Sequence, residues 1–439
     1  NLTAVVDAEN DRSITYGQLA DLADASAEPL GSERSLVIIY SDESAASIVA
    51  YLGALRAGHV PWLADARLLP VARVDVEKTY RPQYRWTAED GWARCEREPT
   101  ELAEELCLLL STSGSTGDPK GVRLSKTALA RNASAIAEYL GLGPGERAPT
   151  TLPLGYSYGL SVVNSHLHAG ATVVATPASL VSAPFWEAFE RYQCTSIAGV
   201  PESYRMLLRL GVADMQLPSL RYFTQAGGGL DRKTLAQLAE LFSARQWPLW
   251  VMYGQTEATA RIAYLDPELL ATKLGSIGRA IPGGRLWIDP DEDGDPELVY
   301  AGPNVMMGYA RSASDLAIPD QLGGTLRTGD LAEVDEDGIY WIRGRKSRFA
   351  KIHGQRINLQ WLEHLAREAS GCKCAAVERD RRIAIAVEQA AQADLERCRE
   401  QLRARFVAVA RALDIVAVDA IPRLPSDKVD YPRLLALLP

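Results

Sequence analysis

The sequence predicts an α/β protein with a large N-terminal domain of layered sheets, residues 1–345, and a small α+β C-terminal domain, residues 346–439. Three observations carry this. At 439 residues the chain exceeds what one compact core ordinarily holds. Apolar runs alternate with helical patterns through its first three-quarters, the signature of α/β layers. The pattern then changes to short strands separated by Gly and Asp turns, a small β-rich piece that ends at Gly344-Arg345.

The elements follow in order. Thr15 and Gln18 form a capping box that opens a helix through Ala27. Leu36 to Tyr40 is a buried-strand run, and Ser44 to Ala57 a helix stopped by Gly58. Leu129, Asn132, Ala133, Ile136, Tyr139 and Leu140 recur at helical spacing. Strands are expected at Ala171 to Ala175, Leu220 to Gln225 and Leu249 to Tyr253, then at Leu298 to Tyr300 and Ile339 to Ile342. Beyond a boundary near Lys346 come apolar runs at Ile383 to Val387 and Val416 to Val418, with a long helical pattern, Ala391 to Ala412, between them.

Composition narrows the function. The net charge is −9 with no Lys/Arg block, which argues against nucleic acid or an anionic membrane as partner. No apolar run reaches the roughly 18 residues that span a bilayer. The six cysteines are scattered, and Cys372-Lys373-Cys374 lacks zinc-pair spacing, so thiols in a reducing cytoplasm are expected.

The most informative stretch runs from Leu110 to Gly121, L-S-T-S-G-S-T-G-D-P-K-G. An apolar run, Cys107 to Leu110, feeds a loop of hydroxyl residues and glycines closed by Lys120, with a helical pattern a few residues later. Such a loop can wrap backbone N–H groups and hydroxyls around a polyphosphate, and the lysine adds charge there. Asp118 and Pro119 separate Gly117 from Lys120, so this is not the G-x-x-x-x-G-K-[ST] fingerprint.

Further segments, in order, complete a resemblance. Y-G-Q-T-E spans Tyr253 to Glu257, R-T-G-D Arg327 to Asp330, G-R-K-S-R-F-A-K-I-H-G-Q-R-I Gly344 to Ile357, and P-S-D-K-V-D Pro425 to Asp430. With the glycine loop, these resemble the phosphate, adenine–magnesium, ribose, hinge and lysine motifs of the adenylate-forming superfamily. That superfamily contains acyl-CoA synthetases, nonribosomal adenylation domains and luciferases.

The resemblance implies that a carboxylate attacks the α-phosphorus of ATP, pyrophosphate leaves, and a thiol then takes the acyl group from the adenylate. Thr112, Ser113, Gly114, Ser115, Thr116, Gly117 and Lys120 would hold the β- and γ-phosphates. Glu257 would ligate Mg²⁺, and Thr256 would donate to the α-phosphate. Tyr253 and Gly254, with Ala226, Gly227 and Gly228, would surround adenine. Asp330 would take the ribose hydroxyls, with Arg345 as a second contact. Lys428 would be the catalytic lysine, carried by a mobile C-terminal domain. That domain's other orientation would present Lys351, Gly354 and Gln355 for the thiol step. Three positions of the hinge and C-terminal part depart from the pattern: Ser347 where Asp is frequent, Trp361 where Glu is common, and Asp427 where glycine usually precedes the lysine.

L-P-L-G-Y-S-Y-G-L, Leu152 to Leu160, resembles the segment beside the acid pocket, making Tyr156, Tyr158, Gly159, Ser161 and Gly229 its candidate walls. Ser157 stands where amino-acid-activating relatives carry Asp, and a hydroxyl cannot neutralise a desolvated ammonium. The expectation is an aliphatic or aryl carboxylic acid, with the phosphopantetheine thiol of CoA or of a separate carrier protein as acceptor. The alternatives are an amine or alcohol acceptor, or a degenerate relative that binds ATP without turnover.

Overall fold

The computed structural model describes residues 2–68, 70–111, 120–290, 294–346, 348–352, 355–379, 382–405, 411–424 and 429–438. A seven-stranded mixed sheet runs in the order Gly308–Ala310, Gly121–Ser125, Leu106–Ser111, Val60–Asp65, Leu36–Ser41, Tyr84–Thr87, Gly91–Arg94. A five-stranded sheet follows the order Ser196–Gly199, Tyr222–Gln225, Leu249–Tyr253, Ala263–Leu265, Arg279–Ala280. The first three strands of the latter are parallel and buried, as their continuous apolar runs require.

Two helices, Lys126–Leu140 and Ser157–His168, share one apolar core with both sheets. In it Leu63, Leu108 and Leu110 come from one sheet, Ile136, Tyr139 and Leu160 from the helices, and Ala198 and Met252 from the other sheet. Ser125 caps the first helix by accepting from the Ala128 N–H at 3.1 Å, and Gly141, at φ 64°, ends it in the left-handed conformation that only glycine adopts cheaply. A smaller sheet orders Arg12–Thr15, Thr3–Asp7, Thr172–Ala175 and Arg147–Pro149. The β-rich piece is a four-stranded antiparallel sheet of Arg285–Pro290, Pro296–Ala301, Thr325–Val334 and Tyr340–Arg345.

From Phe349 onward the chain forms a hairpin, Phe349–Ile352 with Gln355–Asn358, and a three-stranded sheet of Cys374–Arg379, Arg382–Glu388 and Leu413–Val418. Two apolar clusters made only of residues from Ala350 onward hold these elements and the helix Leu359–Ser370 together. The expected α/β architecture with a smaller C-terminal part is therefore what the chain adopts.

A helix follows the loop ending at Lys120 a few residues later, as expected, but a strand that the sequence reading did not place lies between them. The loop's flanks, Leu106–Ser111 and Gly121–Ser125, pair antiparallel, with Ser111 opposite Gly121, and the helix starts only at Lys126. The strand was missed because G-V-R-L-S is short and carries a charge. That charge, Arg123, is buried and is taken up by the Ile318 and Met307 carbonyls and the Gln321 side chain. Of the helix expected over Ala391 to Ala412, Gln392–Arg405 is seen; residues 406–410 lie outside the described residues, and Leu413 begins a strand.

Candidate active site

Three sequence motifs far apart in the chain meet at the Asp330 carboxylate. Strand Leu249–Tyr253 ends with the Tyr253 hydroxyl donating to one Asp330 oxygen, while Arg345 Nε donates to the other at 2.8 Å. Asp330 and Arg345 face each other across neighbouring antiparallel strands, so the ladder itself sets their spacing. Asp330 is buried, and its negative charge is the main influence holding the Arg345 guanidinium in its charged form. Burial first, then Asp330, pushes the Tyr253 hydroxyl well above its ordinary range, so it stays a donor.

The chain after Tyr253 turns sharply. A Cβ on Gly254 would lie 1.8 Å from the Ala260 carbonyl oxygen, so the turn requires glycine. The turn delivers Thr256 and Glu257 on a short 3₁₀ segment, Thr256–Ala258. Thr256 Oγ1 donates to Ser157 Oγ at 3.2 Å, tying the turn to the start of helix Ser157–His168. The Glu257 carboxylate accepts from the Tyr309 hydroxyl at 2.6 Å, and the Lys120 ammonium lies 5.6 Å from the centre of the Tyr309 ring. Arg345 is near enough to bear electrostatically on both Glu257 and Tyr309. Lys120, Glu257, Tyr309, Arg345, Asp330 and Tyr253 thus form one connected group. Glu257 is half-buried and has no cationic partner among the described residues, a hard oxygen donor of the kind Mg²⁺ takes. Thr112, Ser113, Gly114, Ser115, Thr116, Gly117 and Lys428 lie outside the described residues.

The glycine segment follows strand Tyr222–Gln225. Gln225 Nε2 donates to the Gly228 carbonyl at 2.7 Å and fixes the turn. Gly227 sits at φ +82°, where a Cβ would come within 2.3 Å of the Tyr156 hydroxyl. Ala226 is buried beneath, and Gly229 faces open space.

The proposed pocket walls divide. Tyr156 packs edge-on to Tyr158, their ring centres 6.2 Å apart, and borders Gly227. Tyr158 is buried, and its hydroxyl donates to the Thr224 carbonyl at 2.7 Å. Tyr158 and Ser161 line a narrow internal crevice between the two helices and the five-stranded sheet. Gly159 instead serves packing, since a Cβ there would lie 2.3 Å from the Pro153 carbonyl oxygen. Lys351 and Gln355 lie in the two strands of the hairpin, opposite Arg356 and Ile352, and Gly354 is outside the described residues.

Sequence reading missed Tyr309, Arg261 and His166. Tyr309 could have been found in G-P-N-V-M-M-G-Y, whose strand pairs in register with the residues after Lys120, Tyr309 opposite Val122. Arg261 and His166 carry no local signal, because only the packing of helix on sheet brings them to the crevice.

The chain is similar to known proteins in sequence and in fold. The AMP-binding enzyme family matches residues 70–310. An indoleacetate–CoA ligase of Aromatoleum aromaticum is 32% identical over 351 residues, covering 76% of this chain and 67% of the relative. A D-alanine–D-alanyl carrier protein ligase of Bacillus mycoides is 26% identical over 97% of this chain and 95% of its own. Among solved structures, the o-succinylbenzoate CoA synthetase of Bacillus subtilis in complex with its acyl-adenylate superposes with TM-score 0.80 over 99% of this chain and 95% of that one. An anthranilate CoA ligase in complex with anthranoyl-AMP does so with TM-score 0.79 over 99% and 94%. At 22% and 19% identity, these two speak for the fold alone.

Proposed function

The chain belongs to the AMP-binding enzyme family, and we propose that, as an AMP-forming acid–thiol ligase of that family, it activates an aliphatic or aryl carboxylate rather than an α-amino acid. One carboxylate oxygen bonds to the α-phosphorus of ATP, and the bond to pyrophosphate breaks. A thiol sulfur then bonds to the acyl carbon as AMP leaves. AMP turns a carboxylate, whose leaving group would be oxide, into an electrophile. The protein's task is positioning and charge stabilisation.

The observation that carries the assignment is the group joining Tyr253, Asp330 and Arg345 to Glu257, Tyr309 and Lys120. Each Asp330 oxygen keeps a second lone pair, so the carboxylate can accept the vicinal ribose hydroxyls while holding Tyr253 and Arg345. Asp330→Asn should therefore weaken AMP binding about 10–100-fold, the scale of a lost hydrogen bond to a charged group. Calorimetric titration with AMP checks this, and an unchanged Kd would contradict it. Lys120 and the hydroxyl-rich loop before it take the pyrophosphate end. Glu257 would hold Mg²⁺, which when bound neutralises phosphate charge. Thr256, oriented by Ser157, faces the α-phosphate. The segment Ala226 to Gly229 flanks adenine, with Gly227 admitting the Tyr156 hydroxyl where a Cβ would otherwise stand.

Against an amino acid stands the lining of the crevice, which among the described residues holds no Asp or Glu and has Arg261 as its one cation. A desolvated ammonium would have no counter-charge there. The acceptor is the phosphopantetheine thiol of CoA or of a separate carrier protein, delivered past Lys351, Gly354 and Gln355. The C-terminal domain, residues 346–439, moves about the hinge at Arg345 to change between half-reactions. The free cysteines fit a cytoplasmic setting, and no described helix is long and apolar enough to cross a membrane.

The test is a two-step trap. Enzyme charged with acyl-AMP is mixed with CoA, a phosphopantetheinylated carrier protein, an amine or an alcohol. A thioester with either thiol supports the reading, and transfer only to the amine or alcohol overturns its second half.

A further inference from the structure

The lining of the crevice includes an arginine that the reaction scheme does not use. Arg261 is only 2% exposed, and among the described residues it has no ion pair. Its Nε finds no hydrogen-bond acceptor, its Nη2 donates to the Ser161 hydroxyl at 3.2 Å, and the guanidinium lies 4.3 Å over the Tyr158 ring. Arg123, also buried, likewise has an unpartnered Nε, but its Nη atoms donate to two carbonyls and a glutamine side chain, whereas Arg261 has a single hydroxyl acceptor on Nη2. A buried guanidinium is tolerated when it is paired. Glu146, the carboxylate that bears electrostatically on His166 and Tyr222 of the same lining, is committed to Arg221 and Thr195.

Nor does the rest of the lining offer an anion. His166 Nδ1 donates to the Val162 carbonyl at 2.8 Å, leaving Nε2 for the Tyr222 hydroxyl at 3.4 Å. Burial holds His166 down to about 4, so it is neutral near pH 7. Tyr158 and Thr224 bond to each other. Among the described residues, the crevice therefore presents one positive charge without an ion pair, its Nε lacking an acceptor, flanked by the Ser161 and Tyr139 hydroxyls and by the apolar side chains of Ile136 and Met252.

We propose that Arg261 is a specificity residue that receives an anionic group, a carboxylate or sulfonate, at the far end of the acid's tail. This rests on the acid-ligase reading and names the substrate class within it: an acid with a second negative charge. A planar carboxylate suits the guanidinium fork through two parallel N–H···O bonds. The same charge sets the crevice against cationic tails.

The test compares acids of one carbon skeleton that end in carboxylate, sulfonate, methyl ester or methyl, in acid-dependent ATP–pyrophosphate exchange. Wild type should favour the anionic acids by about 10²–10³-fold in kcat/KM, the scale of an unpaired buried charge. Arg261→Met keeps the volume beside Tyr158 and should abolish that preference, gaining on the methyl-terminated acid while losing on the dicarboxylate. Arg261→Lys should retain part of it. A uniform loss across all acids in Arg261→Met, with folding checked by melting temperature, would mean a structural role and overturn the proposal. So would wild-type preference for neutral tails. No exchange with any acid would instead strike the ligase reading itself, and the proposal with it.

Discussion

Lys428→Ala should slow acyl-adenylate formation by about 10²–10³-fold, the usual loss when one donor to a developing charge is removed. The reason is electrostatic. Charge moves onto the oxygen between acyl carbon and phosphorus as pyrophosphate departs, and an ammonium there stabilises that state more than the ground state. The flanks of Lys428 are anchored in the C-terminal part. Val429 bridges to Arg423, and Asp430 caps helix Tyr431–Leu437 by accepting from the Arg433 N–H at 3.1 Å. Tyr431 in turn packs under the Arg348 guanidinium, which pairs with buried Glu363. The variant should therefore fold and should still convert synthetic acyl-AMP and a thiol to thioester, since the lysine serves only the first half-reaction. Pyrophosphate exchange and thioester formation, measured in parallel, separate the two. Normal exchange in Lys428→Ala would remove the lysine from the account.

Gly254→Ala should lower stability and nucleotide binding together. The added carbon would lie 1.8 Å from the Ala260 oxygen, 2.7 Å from its carbonyl carbon and 2.9 Å from the Arg261 Cα, all backbone, so no side chain can swing away. Overpacking of this kind costs about 1–3 kcal/mol, and more when backbone must move. The strain falls between Tyr253 and Thr256, so the adenine and phosphate contacts shift with it. Gly229→Ala is the control, since a Cβ there meets nothing within 4 Å and should leave the melting temperature unchanged. Thermal melting and AMP titration of both variants check the pair. Equal melting of Gly254→Ala and wild type would contradict the reading.

Much of this was legible in the chain, for reasons that differ by residue. The capping box of Thr15 and Gln18 appears as expected, because it is a contact three residues apart. The strand Leu249–Tyr253 was readable from its unbroken apolar run, which both faces of a buried parallel strand demand. The resemblance of Y-G-Q-T-E and R-T-G-D to family motifs put Tyr253 and Asp330 in one function, and their hydrogen bond joins residues 77 apart. What sequence did not carry was long-range packing. Arg261 and Ser161 are 100 residues apart, and Tyr309 and Glu257 are 52 apart. Each meets its partner only because a helix or strand is laid against another layer. Gly159 shows the reverse: its motif position suggested a pocket wall, while its place against the Pro153 carbonyl shows a packing requirement.

The central claim is that an organic acid displaces pyrophosphate from ATP at the site built around Tyr253, Asp330 and Glu257. Acid-dependent ATP–pyrophosphate exchange across a broad panel, with nucleotide products resolved, tests it most directly. The account predicts exchange that requires both Mg²⁺ and a particular carboxylic acid, with AMP as the nucleotide product once a thiol is added. Cleavage of ATP to ADP, with no exchange for any acid, would contradict it.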